Sequence, residues 1–60
     1  MKPTEARQYL IAAVHTAVGS ETLRRLGYGA VIAAPEKLND KSTILLAEKL
    51  REELHRVYGF

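Results

Sequence analysis

Sixty residues form one small domain, residues 1–60, and a chain of this length hides only about 60% of its unfolded surface on folding. The absence of cysteine excludes a disulfide framework and a zinc finger, leaving association with a second copy or a partner as the common way to enlarge the core. Nine Lys and Arg against seven Asp and Glu leave a net charge of +2, and no segment is strongly basic, so a nucleic-acid footprint would have to gather Arg24, Arg25, Lys37 and Lys41 on one face.

The chain opens at Met1 without a cationic leader, and its longest candidate apolar run, Tyr9 to Val14, is too short to span a bilayer. It therefore reads as a complete cytoplasmic protein without a membrane segment. The first predicted element is a helix over 3–18. Pro3 suits its opening turn, and Thr4 or Glu5 complements the N-terminal dipole. Ala6, Leu10, Ala13, Val14, Ala17 and Val18 recur at helical spacing, with Glu5, Gln8 and His15 toward solvent. Ala13 and Ala17 remove bulk from the apolar face so that another helix can approach, and Gly19 is read as the stop.

A second, shorter helix follows over 20–27, with Ser20 as N-cap and Gly27 as C-terminal stop. Leu23 and Leu26 define its inner face. Glu21, Arg24, Arg25 and Tyr28 then point outward, with Ser20 and Thr22 on the flanks. Taken together, Ala12 to Leu26 (AAVHTAVGSETLRRL) resembles a helix-turn-helix, in which Ala12 and Ala13 pack the first helix and Gly19 with Ser20 makes the turn. The segment departs from that pattern at Ala17, where a glycine commonly enters the turn, and at polar Thr16. The resemblance implies a DNA-binding regulator that sets Ser20, Glu21, Thr22, Arg24, Arg25 and Tyr28 in a major groove, with Lys37 and Lys41 near phosphates. The alternative is that Arg24 and Arg25 form an ordinary solvated face.

Between Gly27 and Asp40 lies the apolar run Ala30 to Ala34. Its length, Val31 and Ile32, and the restriction Pro35 places on Ala34 predict a short strand or extended segment at 30–34. An unpaired strand needs a partner, most simply the same segment of a second copy in an antiparallel ribbon. A buried connector or a single helical turn is the alternative.

The strongest pattern belongs to the last helix, 41–58, capped by Asn39 or Asp40 and ended by Gly59. Leu46, Ala47, Leu50, Leu54, Val57 and Tyr58 form one stripe, suited to pairing within a bundle or across a dimer. Lys49 with Glu53, and Glu52 with Arg56, are spaced for ion pairs. Ile44 and Leu45 fall off the stripe and widen the apolar surface where the first helix or the Ala30 segment can cover them.

The expected fold class is thus mainly α, a small three-helix domain. No catalytic constellation is expected: His15 and His55 lack triad partners, and Gly27 with Gly29 lacks the context of a phosphate loop. Glu52 and His55 form a Glu-x-x-His pair of the kind used in di-iron bundles, but the helical wheel turns both away from the stripe, so neither a metal nor a cofactor is expected. Two functional classes remain. One is a homodimeric DNA-binding regulator of helix-turn-helix type. The other is a protein-interaction module, an inhibitor or assembly factor, that docks on a larger protein through Val31 and Ile32 and the helix bearing Leu46, Leu50, Leu54 and Val57. Those same six residues are the expected interface of a homodimer.

Overall fold

The computed structural model describes every residue from Met1 to Phe60. Four α-helices, α1 (Pro3–Val14), α2 (Ala17–Arg25), α3 (Gly29–Ala33) and α4 (Asp40–Tyr58), run in chain order, with a one-turn 3-10 helix at Pro35–Lys37 before α4. The protein is mainly α, as its periodicity predicts, and contains no strand.

Helix α4 follows its caps. The Asn39 side-chain oxygen accepts from the Ser42 N–H at 2.8 Å, which satisfies an amide that the helix itself leaves unbonded. At the other end Gly59 takes the left-handed conformation, φ 75°, and its N–H donates to the His55 carbonyl at 2.9 Å. The buried side of α4 carries Leu46, Ala47, Leu50 and Leu54, which close on Ala6 and Leu10 of α1 and Leu23 of α2 to form the core. Val57 and Tyr58 leave that core: Val57 is 46% exposed. The reason is length. At about 1.5 Å per residue α4 runs roughly 28 Å against about 18 Å for α1, so its last turn projects past the cover and Tyr58 stacks on Phe60 instead, ring centroids 5.5 Å apart.

The first helix is shorter than expected. It ends at Val14, and Thr16, not Ser20, caps the next helix. The Thr16 hydroxyl donates to the Ala13 carbonyl at 2.8 Å and accepts from the Gly19 N–H at 2.9 Å, so one side chain both closes α1 and opens α2. Gly19 is consequently not a stop but a residue of α2's first turn. A Cβ there would collide with the Ala13 carbonyl oxygen and approach Thr16 Oγ1 to 2.7 Å; glycine is required because two helices meet at its face.

Gly27 does end α2. With φ 91°, it lets the Tyr28 N–H reach the Leu23 carbonyl (2.8 Å) and its own N–H reach the Arg24 carbonyl (3.0 Å). This is the double bond pattern that closes a helix with a glycine in the left-handed region.

The chain then turns into α3, which corrects the expectation of an extended 30–34. With no neighbouring strand, a helical turn is the conformation that satisfies the segment's own backbone groups, as the bond from Val31 N–H to the Tyr28 carbonyl illustrates. Pro35 stops it, buried at the start of the 3-10 turn. Arg7 fastens this connection to α1. Its Nη1 donates to the Glu36 and Leu38 carbonyls at 3.2 and 3.0 Å, and its Nη2 to Asp40 Oδ1 at 2.8 Å.

Candidate functional site

The side chains expected to face DNA divide into three sets. Glu21, Arg24, Arg25, Lys37 and Lys41 are exposed. Ser20 is half-buried and donates to the Ala17 carbonyl at 3.2 Å, and Tyr28 is half-buried beneath Lys49. Thr22 is withdrawn altogether: it is fully buried, its hydroxyl donating to the Val18 carbonyl at 2.7 Å. Gly19, Thr22 and Leu23 make up the buried side of α2, and Thr22, three residues after Gly19, falls on the side where the missing Cβ lets α2 approach the end of α1.

The exposed cations do not form one cluster. Arg25 lies 3.8 Å from Glu53 in the second half of α4. Lys41 is in its first turn, about 18 Å of helix rise away. Lys37 belongs to the connection held by Arg7, at the Lys41 end. Glu53 is a charge hub that sequence spacing did not reveal: it takes Arg56 at 2.6 Å as well as Arg25. The hydrogen bond that the Arg56 guanidinium donates to the Glu53 carboxylate is the chief cause that holds Arg56 above its ordinary pKa. Lys49, expected to pair with Glu53, instead sits over the Tyr28 ring, 5.5 Å from its centroid, with Nζ 3.5 Å from the hydroxyl.

The interface expected on the central segment and the last helix also divides. Leu46, Leu50 and Leu54 belong to the protein's own core, Leu50 fully buried and Leu46 and Leu54 reaching the surface only at their edges. Val31 and Ile32 are half-buried and pack against that core, while Val57 is exposed. Leu45 is 61% exposed, so neither α1 nor α3 covers it.

What these placements produce is an open groove of about 730 Å³ on one side of α4. Leu26, Tyr28, Val31 and Leu38 supply one wall, Leu45 and Leu46 the other, and Glu48, Lys49, Glu52 and Glu53 its polar edge. A second, shallower hollow of about 500 Å³ lies where α1 meets α2, lined by Tyr9, Ala13, Val18 and Leu54, with Phe60 at its margin. Burial here pushes the Tyr9 phenol above its ordinary pKa, an effect that Arg51 partly offsets. Glu52 and His55 are both exposed, and no three His, Cys, Asp or Glu side chains come together as metal ligands. No helix is long and apolar enough to cross a membrane.

The chain is thus a small all-α domain with an apolar groove beside its longest helix. No protein family, curated protein or solved structure gives a match to it, so a functional reading rests on this geometry.

Proposed function

We propose that this chain is a non-enzymatic protein-interaction module that docks on a larger protein through the groove between α4 and the Leu26–Leu38 segment. The observation that carries the reading is an apolar floor left open in so small a protein. Leu45 stands free at its edge while every comparable leucine of α4 is buried. An exposed large apolar residue gains by being covered, and a concave surface with apolar walls and a polar edge is the usual form of a recognition site. The test is a photo-crosslinking residue placed at Glu48 on the groove's edge, with a second placed at exposed His15, at the corner of α1 and α2, as control. A protein adduct specific to position 48 and abolished by Leu45→Glu is the expected result. Equal labelling from the two sites rejects the reading.

A second reading, a DNA-binding regulator acting as a homodimer, draws support from one feature: Glu21, Arg24 and Arg25 are exposed on α2 while Leu23 is buried beneath them. Its test is polarisation binding to mixed DNA over a range of salt. If Arg24 pairs with a phosphate, Arg24→Ala lowers the slope of log affinity against log salt by about one; if it pairs with a base edge, the same change relaxes sequence preference. Absence of binding at low salt rejects it.

A further inference from the structure

Away from the groove, we infer that Phe60 is a tethered plug for the hollow where α1 meets α2, a strap that swings about Gly59 and closes over it. The hollow exists because small residues meet there. Ala12 and Ala13 bring only methyl groups to the end of α1, and Gly19, whose missing Cβ lets α2 pass the Ala13 carbonyl, brings none. Tyr9, Val18 and Leu54 complete the walls around about 500 Å³. The Thr16 hydroxyl at the edge is already bonded to the Ala13 carbonyl and the Gly19 N–H. A space lined in this way offers an ordered water few partners and gains by receiving an apolar group.

Phe60 has both the chemistry and the freedom to fill that space. Of the large apolar side chains that line the hollow it alone is exposed, at 72%. Helix α4 ends at Tyr58, so the ring is not carried on a helical backbone, and no backbone hydrogen bond reaches Phe60. The link between them is Gly59, φ 75°, with no atom within 4 Å of the place a Cβ would take, so it turns without collision. Two contacts hold the ring beside the hollow and not in it. One is the stack on Tyr58, with centroids 5.5 Å apart and planes at 19°. The other is His55 Nδ1, 3.0 Å from the Phe60 backbone oxygen. Both lie at the surface, where each counts for less than the burial of a phenyl ring. Closure also costs little order, since the tether is one residue long and fixes only a few dihedral angles. A closed plug withholds the hollow from the apolar groups of other molecules, whose affinity falls in proportion to the open fraction.

Benzene, titrated against the full chain and followed through its methyl resonances, tests the plug. The Ala12, Ala13 and Val18 methyl protons of wild type are expected upfield of those in Phe60→Ala, shielded by the face of the ring, with circular dichroism unchanged. Phe60→Ala is expected to bind benzene about three- to tenfold more tightly than wild type, the ratio for a hollow open between roughly a third and a tenth of the time. His55→Ala keeps the backbone cap at Gly59 and removes one outside contact. It is expected to move the same methyls further upfield and to weaken benzene binding. Equal methyl shifts in wild type and Phe60→Ala, or benzene binding that is unchanged or weaker in Phe60→Ala, overturn the plug. So does a hollow that takes benzene in neither protein, since a site that rejects a free ring offers no seat to a tethered one. Methyls unmoved by His55→Ala overturn the part given to the His55 contact.

Discussion

At the scale of single residues, the corner between α1 and α2 depends on a threonine that caps and a glycine that yields space. Thr16→Ala removes the acceptor for the Gly19 N–H and the donor to the Ala13 carbonyl. The expected loss is about 1 kcal/mol, typical of an N-cap, read from urea unfolding. Gly19→Ala is expected to cost more than Thr16→Ala, against the helix preference for alanine, because the new methyl group meets the Ala13 backbone and not a side chain that can move aside. Tyr9 adds a pH signature. Its phenol is raised above about 10 in the folded state by burial, so the native protein holds the proton more tightly than the unfolded chain. The resulting stabilisation is fully present below the unfolded value and is lost as pH rises through the folded one. Unfolding free energy should fall in wild type as pH rises from the unfolded value to the folded one, and Tyr9→Phe should remove part of the fall.

At the scale of elements, legibility in the sequence followed how many local signals agreed. For α4 a capping asparagine, a stripe at helical spacing and a terminal glycine all pointed to one helix, and its bounds fall at Asp40 and Tyr58. Gly27 was legible for the same reason. The α1–α2 boundary was not, because Gly19 offered the louder signal: a glycine followed by serine reads as a break, whereas its actual demand is for room beside Ala13. The threonine three residues before Gly19 was the available sign of a cap. Residues 30–34 read as extended through Val31 and Ile32, yet such residues favour a strand only where a neighbouring strand exists. The groove could not be read from periodicity at all, since Leu45 and Leu38 become neighbours through the connection that Arg7 fastens. That connection is testable as a unit. Arg7→Ala removes its three anchoring hydrogen bonds and should cost about 1–2 kcal/mol, allowing for partial exposure. A near-neutral result would show that buried Pro35 is sufficient to hold the turn.

At the scale of the whole molecule, the question is whether the fold completes its core without a second copy. The two features that suggested a homodimer have changed their meaning: the 30–34 segment has no strand edge to pair, and Leu46, Leu50 and Leu54 are covered by α1 and α2. Large apolar groups that remain free include Leu45, Val57 and Phe60, of which Phe60 is 72% exposed. Leu50→Ala, in the fully buried core, should therefore cost about 2–5 kcal/mol, and Leu45→Ala only a few tenths. Ile32→Asp should unfold the protein without first dissociating it, because Ile32 packs against that same core. Light scattering distinguishes the two functional readings at this scale. A docking module that leaves its groove open is expected at the mass of one chain, 6.7 kDa, even at high micromolar concentration. The DNA-binding homodimer requires twice that mass. Should the larger mass be found, combining Val57→Asp with Phe60→Asp discriminates further: return to the single-chain mass would put the dimer interface at the protruding end of α4. Loss of the dimer in Leu45→Glu would instead mean that a second copy occupies the groove itself.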